Sequence, residues 1–126
     1  MAEDIQKKIA DFERQRMTLM NVSVQKQQLQ ASINGLEKSL SELESTKETS
    51  VYKAAGSILV LREKKEVQKE LKDQKESNEL RVKTLESQEK SLVEKLNILK
   101  SEIESAASAS KDSSSRDGTV ITSKKE

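Results

Sequence analysis

The sequence predicts a mainly α protein, a long antiparallel two-helix coiled coil whose helices are joined by a β-hairpin. Three observations predict it. Apolar residues recur at alternating spacings of three and four along two long stretches. Between them lies one short β-prone segment, Ser50–Leu61, reading SVYKAAGSILVL. The 126 residues include no proline, so nothing forbids long uninterrupted helices.

The first helix is expected over residues 4–46. Counting in sevens from Ile5 gives Ile5, Phe12, Leu19, Lys26, Ile33 and Leu40. Counting from Lys8 gives Lys8, Gln15, Val22, Leu29, Leu36 and Leu43. Nine of these twelve positions are apolar, a sustained a/d pattern. A second register spans residues 61–106. One set is Leu61, Gln68, Lys75, Val82, Glu89, Leu96 and Ile103; the other is Lys64, Leu71, Asn78, Leu85, Leu92, Leu99 and Ala106. At about 1.5 Å per residue each helix would be roughly 65 Å long. Helices of that length need a partner for their apolar stripe.

Two helices of similar length with a short connection favour an antiparallel pair, in which facing residue numbers add up to a constant. A constant of 104 sets Ile5 against Leu99, Phe12 against Leu92, Val22 against Val82 and Leu43 against Leu61. It also matches polar with polar, Lys26 with Asn78 and Gln15 with Glu89. A constant of 111 gives five apolar pairs and no polar match. The first register is preferred, because buried polar pairs fix alignment.

The connection carries β-prone flanks, Val51–Lys53 and Ser57–Leu61, around Ala54-Ala55-Gly56. Gly56 can supply the positive φ of a tight turn. The run Ile58–Leu61 is apolar on both faces. An exposed edge of that kind aggregates unless it is paired, and a lone two-stranded hairpin is marginal in water. The segment therefore calls for strands from other chains. Residues 107–126 (ASASKDSSSRDGTVITSKKE) are expected to be a disordered Ser-rich tail following a folded segment 1–106.

Composition narrows the function. The chain is 36% charged and 2% aromatic, too poor in bulky apolar groups for a compact globular core. A net charge of +1 argues against a nucleic-acid binder. Without cysteine or histidine there are no disulfides, no thiolate metal sites and no imidazole base. No phosphate loop or nucleophile elbow occurs, so no enzyme, metal or cofactor is expected. Glu–Lys neighbours such as Glu37-Lys38 read as a solvated helix face. The start of the chain lacks a signal-peptide core, and no apolar run could span a bilayer; a cytoplasmic protein with no membrane contact is the expectation.

Helix, hairpin and helix around VYKAAGSILV resemble the beta-class (subunit 6-like) members of the prefoldin family. The stretch ELRVKTLESQEKSLVEKL, residues 79–96, is similar to the second helix of archaeal members. The resemblance covers about residues 3–104 and implies a good deal. Hairpins would join into an oligomeric β-barrel platform, here through Val51, Tyr52, Gly56, Ile58, Leu59 and Val60. The complex would be a hexamer of two alpha and four beta subunits. Coiled-coil tips would hold non-native polypeptides without ATP and pass them to a group II chaperonin. A tip site is also suggested by the residues themselves. In the preferred register Ile103 overhangs the start of the first helix, and Ala2, Ile5, Ile9, Phe12, Leu99 and Ile103 form a partly open apolar patch. The rival reading is a structural coiled-coil scaffold or filament-forming protein that transfers no client.

Overall fold

The computed structural model describes residues 2–115, with side chains for residues 3–109. Its elements are α1 (Ala2–Ser45), β1 (Ser50–Ala55), β2 (Ile58–Glu63) and α2 (Lys64–Ser115). They fall into two compact units: a hairpin unit, Val22–Gln88, and a terminal unit drawn from Met1–Asn21 and Glu89–Glu126.

In the hairpin unit β1 and β2 pair antiparallel, with Ala55 opposite Ile58 and Ser50 opposite Glu63. Gly56 and Ser57 make the turn, and Gly56 has φ +62°, the region that two-residue hairpin turns need and L side chains avoid. A Cβ at Gly56 would meet nothing within 4 Å, so backbone strain alone opposes a substitution. Gly56→Ala is expected to cost the hairpin about 1–2 kcal/mol, read as faster amide exchange across β1 and β2.

The strands run into the helices with little slack. The Lys64 amide donates to the Thr49 carbonyl at 2.9 Å, which continues the ladder and satisfies the first N–H of α2. Helix α2 thus starts at Lys64 without a Ser, Thr or Asp cap before it. At the end of α1 the Ser45 hydroxyl donates to the Glu42 carbonyl, and the Glu48 amide donates to the Thr46 hydroxyl oxygen. The Lys64 ammonium donates to the Thr46 carbonyl at 2.8 Å, placing a cation at the negative end of α1.

The heptad positions behave as a seam. Within the hairpin unit Val22, Leu36, Val82 and Leu85 are buried, and within the terminal unit Leu92 and Leu96 are. Leu85→Ala is expected to cost about 2–4 kcal/mol, measured by urea unfolding followed by circular dichroism.

The helix register differs from the preferred one. In the hairpin unit Lys75 meets Glu37 at 3.3 Å, Asn78 donates to Ser32 at 3.2 Å and Lys64 reaches Thr46. In the terminal unit Lys8 meets Glu102 at 3.8 Å. Each of these pairs adds up to 110 or 112, which fits the constant of 111 and excludes 104. The physical reason is the hairpin. Every β1–β2 partner pair adds up to 113; α2 follows β2 directly and only residues 46–49 separate α1 from β1, so the helices inherit nearly the same constant. Nor do the polar seam residues require polar residues opposite them. Lys8, Lys75 and Asn78 find flanking partners on the facing helix instead. In this register Phe12 stands opposite Leu99, and Ile5 opposite Ala106.

Two boundaries also move. Leu61 is not helical and does not face Leu43; it lies in β2 opposite Tyr52. Strand pairing carries the sheet two residues past it, to Glu63. At the other end α2 continues to Ser115, into residues 107–115 of the stretch expected to be a tail. That stretch, ASASKDSSS, holds neither glycine nor proline, and alanine favours helix. The rest of the expected tail, 116–126, lies outside the described residues.

Candidate functional site

The hairpin has two unlike faces. Alternation puts Val51, Lys53, Ala55, Ile58, Val60 and Arg62 on one side. Val51, Lys53 and Arg62 are half-buried there, and that side lies over the start of α2. The Lys53 ammonium donates to Glu70 at 2.7 Å, and the Arg62 guanidinium is bonded to both Glu66 and Glu70. Val67, only 6% exposed, is buried on the same stretch of α2. The opposite face carries Tyr52, Ala54, Leu59 and Leu61. Tyr52 is 70% exposed, Leu59 68% and Leu61 59%. Ile58, on the first face, is 61% exposed as well. Among the described residues neither outer strand edge is paired, and exposed apolar side chains on such a ribbon are what an association surface requires.

The ion pairs at the base of the hairpin shift two groups. Hydrogen bonds donated to Glu66 first, and then to Glu70, hold the Arg62 guanidinium above its ordinary value. Bonds from Lys53 first, and then Arg62, hold the Glu70 carboxyl below the ordinary carboxylate range. A depressed carboxylate contributes above its unfolded value and loses that contribution as pH falls through its folded value. The tie between hairpin and α2 is therefore expected to persist from neutral pH through the ordinary glutamate range and to fail only below it. An NMR titration of the Glu70 side-chain carboxyl reads this directly.

In the terminal unit Ile9, Phe12 and Ile103 line a shallow hollow of about 280 Å³ with Lys100 and Glu104. Ile9 is 44% exposed; Phe12 and Ile103 are half-buried. The hollow is wide enough for an apolar side chain of a bound segment, while Lys100 and Glu104 can wall it with their stems and keep their charges in water. Ile103 does not overhang α1, because the actual register sets it opposite Lys8. Ile5 and Leu99 are half-buried but do not line the hollow, and the side chain of Ala2 lies outside those described.

Of the residues read from sequence, Ile9, Phe12 and Ile103 come together. Tyr52 and Leu59 share the exposed hairpin face, and Ile58, Val60 and Val51 lie on the other. Leu61 joins Tyr52 and Leu59 on that exposed face, beyond the six platform residues that the resemblance implies. Val67 is buried although it sits off the heptad seam, and a seam count does not find it. Met17 and Met20, both more than half exposed, occupy outer heptad positions that a seam count ignores. Among the described residues no cluster of three or more His, Cys, Asp or Glu could hold a metal ion. No described helix is long and apolar enough to cross a membrane.

Comparison with known proteins gives one answer. The family model described as prefoldin subunit matches residues 6–109. The prefoldin subunit beta of Archaeoglobus fulgidus is 40% identical over 92 residues, covering 72% of this chain and 79% of that one. The corresponding protein of Thermococcus onnurineus is 36% identical over 103 residues, covering 81% and 89%. The crystal structure of the prefoldin beta subunit from Thermococcus strain KS-1 is similar with a TM-score of 0.75 at 36% identity, covering 82% of this chain and 91% of that one.

Proposed function

Because the chain belongs to the prefoldin subunit family, whose members are chaperone subunits that assemble with one another, we propose that it is a beta-class holdase subunit that binds non-native polypeptides without ATP. The observation that carries this reading is the open apolar hollow of Ile9, Phe12 and Ile103. It offers burial to an exposed apolar side chain and has no polar array that would demand a particular sequence, which suits a binder of many unfolded clients.

In this reading the Tyr52, Leu59 and Leu61 face joins hairpins of other subunits into a β-barrel platform, in a hexamer of two alpha and four beta chains. Clients held at the helix ends pass to a group II chaperonin, and the work is done in the cytoplasm. The test is light scattering from a chemically denatured client diluted into buffer containing the chain with an alpha-class subunit. Scattering should fall in proportion to the amount of complex and should not change when ATP is added. Scattering equal to the client alone would contradict the proposal.

A further inference from the structure

The hairpin must present a chosen face to its neighbours, yet a two-stranded sheet is a pliable ribbon. Two features bear on how it is held. First, Lys53 on β1 and Arg62 on β2 lie on the same face and converge on one carboxylate, that of Glu70. Both strands are thus tied at a single point on α2. Second, Arg62 is also bonded to Glu66, one turn earlier on the same helix, so the guanidinium is fixed at two places. A contact from one strand alone would leave the ribbon free to roll about that contact; contacts from both do not.

We propose that Glu70 is a positioning residue, a latch that fixes the roll of the hairpin on α2 and so holds Tyr52, Leu59 and Leu61 outward for the neighbouring subunit. The inference rests on the platform reading above. Its effect is preorganisation: a hairpin already aimed loses less freedom on association. The surface pairs themselves add little to the stability of the chain, so a role in aiming is separable from a role in folding.

The absence of native cysteine allows spin labels at Ser57→Cys, in the turn, and Ser77→Cys, on an exposed part of α2. The full chain, labelled and diluted in unlabelled chain, should give a narrow distance distribution. Glu70→Gln should broaden it and raise the concentration for half-assembly with an alpha-class subunit roughly three- to tenfold, with helical circular dichroism unchanged. Glu70→Asp, which keeps a carboxylate between Lys53 and Arg62, should recover part of both readouts, whereas Glu70→Ala should behave as Glu70→Gln does. An unbroadened distribution in Glu70→Gln overturns the latch. So does a broadened one with assembly unaffected. If the unsubstituted chain does not assemble at all, the platform reading fails, and the distance distributions still decide the latch by themselves.

Discussion

A chain carrying Leu59→Asp and Leu61→Asp is expected to run as a helical monomer where the parent chain assembles. Both leucines stand on the open face of the hairpin, more than half exposed in the isolated subunit. Each apolar side chain of this size is worth about 1.5–3 kcal/mol when buried. Two of them forfeited at one contact amount to roughly 3–6 kcal/mol, a hundredfold or more in association. Aspartate adds the cost of burying an unpaired charge. The helices have no part in that loss, because their seam is built from Val22, Leu36, Val82, Leu85, Leu92 and Leu96; helical circular dichroism should stay. The same change at Val60 alone, 38% exposed on the face that carries Lys53 and Arg62, should weaken assembly less. Sedimentation of both variants separates the faces, and a Leu59/Leu61 variant that sediments like the parent would exclude this face as the assembly surface.

The second large effect concerns clients. Removing residues 1–9 together with 100–126 deletes Ile9 and Ile103 and leaves helix ends nearly flush, since residue 10 stands opposite residue 101 in the observed register. Phe12 and Leu99 remain as the last layer. The shortened chain should assemble to the same stoichiometry, because the hairpin unit is untouched, and should no longer suppress aggregation of a denatured client. The point version, Ile9→Ser with Ile103→Ser, removes the two aliphatic walls of the hollow without shortening a helix, and should lose most of the suppression. Suppression unchanged in both proteins would place client binding elsewhere, with exposed Met17 and Met20 the next surface to test.

The helices and their seam were legible in the sequence because heptad spacing is a one-dimensional signal. Every seam position it names, apart from Leu61, is half-buried or buried. The pairing of one helix with the other was not legible by the same means. Counting matched layers favours the constant of 104, but the ladder from Ser50–Glu63 to Ala55–Ile58 runs directly into α2 and is joined to α1 by residues 46–49 alone, which imposes a constant near 111. Polar seam residues escape the layer rule by reaching sideways, as Lys75 does to Glu37 and Lys8 to Glu102. Ile9, Phe12 and Ile103, grouped from the sequence into one apolar patch, do line one hollow, though they meet across the helix pair with no overhang. The Lys53–Glu70–Arg62 tie stayed hidden because it depends on which face the hairpin turns to α2. A two-residue period places side chains on faces but does not say which face packs.

The most direct test of the whole reading is the mass of the native particle formed by the full chain with an alpha-class prefoldin subunit, by native mass spectrometry. A single closed species of six chains, four of them this one, is the expected result. A monomer, or an open-ended ladder of masses as a filament-forming scaffold would give, would contradict the account in which Tyr52, Leu59 and Leu61 close a platform and the far helix ends hold the client.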